Sequence, residues 1–185
     1  MMRHRSRWEP KDGALTPTGV SLPLVLVTLG LVVLTGCGRA PVESAKLSSL
    51  DPATTTVEYR FNDASVAPEY HRSYTLTAQA GEANIVIDSY GDILHDETAR
   101  IDDATWQAVV ESVAAVQIGA SGGPDDCTGG TSHELLIIED NASPVLDIRV
   151  AVCGEQGQAE AAVIEAYVAP LLDLFDLETL LAPTD

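Results

Sequence analysis

Positive charge is scarce in this chain. Ten Lys and Arg stand against 28 Asp and Glu among 185 residues, a formal net charge of −18. A surface this acidic repels phosphate backbones, which argues against direct nucleic-acid binding. Aromatic residues make up only 5% of the chain and there are three cysteines. Neither C-x-x-C nor H-E-x-x-H occurs, so the usual zinc spacings are missing. No internal repeat or low-complexity block is visible. The strongly apolar run Leu22 to Leu34 is thirteen residues long. As a helix it would reach about 20 Å, short of the roughly 30 Å hydrocarbon core of a bilayer. What remains is ordinary: 45% hydrophobic and 21% charged residues, a globular composition of one-domain length.

The apolar run has a context. Arg3, Arg5, Arg7 and Lys11 precede it, set against only Glu9 and Asp12. A basic start followed by a short apolar stretch is the form of a secretory signal. Leu34-Thr35-Gly36-Cys37 follows and resembles a bacterial lipobox, with Leu at −3, small residues at −2 and −1, then Cys. The resemblance implies a membrane-anchored lipoprotein. The Cys37 thiol would carry a diacylglyceryl group and the signal 1–36 would be removed. The protein would then sit lipid-anchored at the extracytoplasmic face of the cell membrane, its partners being the membrane and an envelope protein. Stable attachment needs two or more acyl chains, since one is marginal. Removal of 1–36 leaves six basic and 26 acidic residues, a net −20. Such a domain is held off anionic lipid. Residues 37–53, small, polar and Pro-containing, read as a flexible tether, and 54–185 as a single domain.

Within that domain, 55–61 alternates Val57, Tyr59 and Phe61; 73–79 alternates Tyr74, Leu76 and Ala78; 84–90 alternates Ile85 and Ile87. These are strand patterns, with a hairpin at Gly81-Glu82. Asp102 or Asp103 can cap a helix reaching about Ile118, whose stripe is Trp106, Val109, Val110, Val113 and Val116. Residues 119–131 break the pattern, and 133–139 and 145–152 form two further strands. A second helical stripe from about Gln158 uses Val163, Ile164, Tyr167, Val168, Leu171 and Phe175, with Pro170 predicted to kink or split it near Ala166. The predicted order is β-β-β-α-β-β-α. It describes an α+β fold, a mostly antiparallel sheet with two amphipathic helices on one face.

Cys127 and Cys153 flank the predicted 133–152 hairpin. In an exported chain an even pair reads as a disulfide. Closing their 26-residue separation constrains the unfolded chain by about 3.5 kcal/mol in the loop-entropy model.

Candidate chemistry is thin. Gly119-Ala120-Ser121-Gly122-Gly123 matches G-x-S-x-G, but a helix precedes it and a Gly-Pro loop follows, the reverse of a nucleophile elbow. His71, His95 and His133 share no ligand spacing and read as surface or half-buried residues beside carboxylates. Asp88, Asp92, Asp96 and Glu97 offer hard oxygen ligands for calcium without the calcium-loop pattern. Trp106, Tyr74 and Tyr167 fall on apolar stripes, whereas Tyr70 and Tyr90 sit near turns and are candidates for exposed contacts.

The element order, with YTLTAQAGEANIVI (74–87) and HELLIIED (133–140), is faintly similar to emfourin-type inhibitors of metalloproteases. No diagnostic motif accompanies it, and no reactive-site residue carries over. The sequence therefore reads as a non-catalytic binding or interaction domain, without catalytic residues, metal or cofactor; the alternatives are a protease inhibitor and a hydrolase.

Overall fold

The computed structural model describes residues 46–116, 118, 129–155 and 157–183. The elements are β1 (Thr55–Asn62), β2 (Ser73–Gln79), β3 (Glu82–Ser89), β4 (Asp92–Arg100), α1 (Asp103–Ser112) with a 3-10 turn (Val113–Ala115), β5 (Thr131–Glu139), β6 (Leu146–Val152), α2 (Gln158–Leu172) and α3 (Leu177–Leu180). The architecture is α+β. Six strands form one sheet in the order β4-β3-β2-β1-β5-β6, every neighbouring pair antiparallel.

The period-2 pattern decides which face is buried. Val57 pairs with Ala78 and Ile137, and Tyr59 with Leu76 and Leu135. Leu76 pairs in turn with Ile85. All seven are fully buried, so one row of apolar side chains runs across four strands. Trp106, Val109, Val110 and Val113, followed by Ile164, Tyr167, Val168 and Leu171, complete a single core with that row. The opposite sheet face presents Glu58, Arg60, Thr75 and Thr77, and there Arg149 pairs with Glu134. An antiparallel sheet with one wet face tolerates this.

Four details depart from the sequence reading. First, the meander has a fourth strand, β4, where only an acidic segment was expected. It lies at the sheet edge with most residues exposed, so no face demands an apolar alternation. Second, α1 is capped by Asp102, whose carboxylate accepts from the Thr105 amide at 2.9 Å, but it stops at Ser112 rather than near Ile118. The Ser112 hydroxyl donates to the Val109 carbonyl at 2.8 Å, the chain tightens into the 3-10 turn, and Val116 is extended. Third, α2 continues through Pro170 instead of splitting near Ala166. The Ala166 carbonyl loses its usual amide donor to proline, but both residues are exposed, so the carbonyl is not stranded in the core. Fourth, the flexible tether does not extend to residue 53. Leu47 belongs to the core, the Trp106 indole donates to the Pro52 carbonyl at 2.8 Å, and the Asp51 carbonyl accepts from the Thr55 hydroxyl at 2.8 Å.

These contacts give the sheet two distinct ends. At the near end the chain enters β1, Asp140 donates to the Thr54 carbonyl, and β2 turns into β3. At the far end lie the β1–β2 loop (63–72), the β3–β4 turn (90–91), the start of β5 and the end of β6. The eight residues of β1 separate the two ends, about 23 Å at 3.3 Å per residue. Leu34-Thr35-Gly36-Cys37, the 119–123 motif and Cys127 lie outside the described residues.

Candidate binding surface

The far end is built from two connections. The β3–β4 turn is Tyr90-Gly91, with φ of 53° and 93°. Two successive positive φ values match a type I′ hairpin turn, whose handedness suits the twist of the strands. Glycine accepts that conformation freely, while tyrosine at this position costs backbone strain of order 1 kcal/mol or more. The Asp88 carboxylate accepts from the Gly91 amide at 2.8 Å and helps hold the turn.

The β1–β2 loop packs against this turn. The Tyr90 hydroxyl donates to the Val66 carbonyl at 2.5 Å, and the Ser89 hydroxyl to the Pro68 carbonyl at 2.8 Å. The two connections and the start of β4 together expose Tyr70 (61%), Tyr90 (56%), Ile93 (67%) and Val66 (41%). Among the described residues the one other exposed large hydrophobic is Val163, on α2. The exposure expected of Tyr70 and Tyr90 is thus found, and Val66 and Ile93 join them. Exposed Glu69 lies in the β1–β2 loop, and exposed Asp92 opens β4 directly after the turn.

Beneath the patch the chemistry is polar and buried. The His71 ring stacks on Tyr90 with centroids 3.9 Å apart. His71 is buried, where a surface or half-buried residue was expected, and its Nδ1 has no hydrogen-bond partner among the described residues. Its Nε2 is 3.3 Å from the Ser73 hydroxyl, which also accepts from the Asp63 amide. The Asp63 carboxylate receives the amides of Ala64 and Arg72. The buried Arg72 guanidinium donates to the carbonyls of His71 and Ala182. Ser73 and His71 are thus a hydroxyl–imidazole pair with no acid on Nδ1 to orient the ring. The pair is enclosed by Tyr90, so its geometry supports the loop rather than an activated nucleophile.

A second constellation lies in the core. His133 Nδ1 is 2.9 Å from the Tyr59 hydroxyl, and Nε2 is 3.8 Å from the exposed Glu165 carboxylate. A proton on Nε2 serves both contacts, leaving Nδ1 to accept from tyrosine. Burial lowers the His133 pKa, with Glu165 opposing. Tyr59 is fully buried, and burial raises its pKa far above the ordinary value. Tyr74 is raised by the same cause. A hydroxyl held neutral and shut from solvent cannot attack a substrate, so this set joins strands and helix.

Two other features complete the inventory. An open groove of about 810 Å³ lies between α1 and α2, lined mainly by alanines and valines such as Ala108, Val116, Ala162 and Ala166. Among the described residues no group of three or more His, Cys, Asp or Glu could hold a metal ion. The 88–97 carboxylates are spread along two strands: Asp88 is committed to Gly91, and Asp96 accepts from the Asn84 amide group. His95 is half-buried on β4. No protein-family model and no curated protein matches this chain.

Proposed function

We propose that this chain is a bacterial lipoprotein, anchored through lipid on Cys37 at the extracytoplasmic face of the membrane, whose folded part is a non-catalytic binding domain. The observation that carries the binding reading is the concentration of exposed apolar side chains at the far end, opposite the residues where the chain joins β1. The net −20 of the mature chain keeps the domain off anionic lipid and nucleic acid. No helix among the described residues is long and apolar enough to cross a membrane.

The reading includes a Cys127–Cys153 disulfide. One observation supports it: Cys153 follows directly on β6, whose Val152 pairs with Thr131, close in sequence to Cys127. Cys37 is reserved for lipid.

Labelled palmitate tests the anchor. Wild type should incorporate it, and Cys37→Ala should not and should accumulate as precursor. Incorporation by Cys37→Ala would overturn the lipoprotein reading. A panel of protease-inhibition and hydrolase assays tests the rest, with no activity expected.

A further inference from the structure

We propose that the far-end patch of Val66, Tyr70, Tyr90 and Ile93, with Glu69 and Asp92, is a docking surface for a cationic, apolar-interleaved segment of another extracytoplasmic protein. The inference deepens the binding reading above and does not depend on the anchor.

Four observations carry it. Three of the five exposed large hydrophobics among the described residues, Val66, Tyr70 and Tyr90, fall within two connections that touch each other, and a fourth, Ile93, stands two residues beyond the turn at the start of β4. The left-handed tyrosine at position 90 is fixed at the surface by its stack on His71 and its hydrogen bond to the Val66 carbonyl, so its outer ring face is presented in one orientation. The loop beneath is braced by Asp63, Ser73 and Arg72, so the aromatic rings stand on a defined platform. Finally, charge selects the partner. Glu69 and Asp92 are exposed at this end, while Arg72, the one Lys or Arg in 63–72 or 89–96, is buried and committed to carbonyls. Two exposed tyrosine rings, with exposed carboxylates one and two residues away in sequence, suit Arg and Lys, through cation–π contact and ion pairing, and Val66 and Ile93 suit alternating apolar residues.

The test uses the full chain in detergent and a short fluorescein-labelled peptide of alternating Arg and Leu, read by anisotropy at moderate salt. The Arg-Leu peptide should bind, and the peptide with Glu in place of Arg should not. Tyr90→Gly and Tyr70→Ala should each weaken binding roughly fivefold. Tyr90→Gly suits the local φ but also removes the His71 stack and the Val66 hydrogen bond, so Tyr70→Ala, which touches neither contact, decides whether an aromatic ring of the patch is read by the peptide. Glu69→Gln with Asp92→Asn should weaken binding, whereas Glu82→Gln with Asp103→Asn, the same charge change at the near end, should not. Equal binding of both peptides, equal loss in the near-end control, or unchanged binding in the tyrosine variants would overturn the proposal. So would capture of anionic phosphatidylglycerol vesicles through the same tyrosines. Failure of palmitate labelling alone would overturn only the anchor.

Discussion

The hydroxyl of Tyr59 and Nδ1 of His133 meet at 2.9 Å across a separation of 74 residues, inside the core. Burial lowers the His133 pKa below its ordinary value near 6.5. The folded protein therefore binds a proton less readily than the unfolded chain. Stability is intact above pH ~6.5 and is lost as pH falls below it. Thermal melting from pH 7 to 5 should show a decline that His133→Gln reduces. Tyr59→Phe should cost about 1–3 kcal/mol by leaving the imidazole nitrogen unpaired.

At the alkaline end the sign reverses. Burial raises the pKa values of Tyr59, Tyr74 and Tyr167 above the ordinary tyrosine value. Stability is present below pH ~10 and lost as pH rises through it. Ultraviolet titration should show these three tyrosinates forming together with loss of near-ultraviolet circular dichroism.

Gly157 caps α2 at φ 78°, and a Cβ there would stand 2.2 Å from the Ala151 carbonyl oxygen. Gly157→Ala combines left-handed strain with a backbone clash, and should cost about 3 kcal/mol or more. Gly81→Ala has a similar φ of 85° but open space around the new methyl, and should cost only about 1 kcal/mol. Denaturant midpoints of the two variants give the comparison.

Residues 46–53 belong to the folded unit. Leu47→Ala should cost about 2–3 kcal/mol, the low end for a buried leucine, given its place at the edge of the core. A chain starting at residue 54 should lose more, because the buried Trp106 indole then lacks the Pro52 carbonyl. Chemical denaturation of the two proteins checks both statements.

For the proposed disulfide, Cys127→Ser with Cys153→Ser should fold but lose about 2–4 kcal/mol, and reductant should lower the melting temperature of wild type alone. Mass spectrometry after alkylation without reduction should find neither cysteine modified. Two added alkyl groups would remove the bridge.

Strands with one dry face were legible because their period of two is imposed by burial: Val57-Tyr59, Tyr74-Leu76-Ala78 and Ile85-Ile87 all face the core. The stripe of α1 was legible for the same reason, from Trp106 through Val116. The edge strand β4 was not, because its exposure on both faces leaves no pattern to read. The signal that could have found it is Tyr90-Gly91 directly after an apolar strand, a hairpin turn with an unusual first residue. The binding patch was half legible. Turn-rich surroundings mark Tyr70 and Tyr90 as exposed, but Val66 and Ile93 are aliphatic residues, the first placed beside Tyr90 by a long-range loop–turn contact and the second left exposed on edge strand β4. The His71–Tyr90 stack and the Tyr59–His133–Glu165 series likewise join residues distant in sequence.

The central position of β1 has a consequence for how the chain acquires its shape. Strands β1 to β4 form a meander of neighbours, each closed by a short connection. The β1–β5 ladder instead joins Asn62 to Ser132 and Thr55 to Glu139, contacts that close loops of 70 residues or more. Chain entropy must be lost over that whole span before the contacts repay it. Until β5 arrives, β1 offers an open row of amides and carbonyls bearing Val57, Tyr59 and Phe61, the kind of edge that recruits other chains. In a chain made from its N-terminus, that edge emerges well before its cover, so the interval between β1 and β5 is when this protein is most exposed to aggregation.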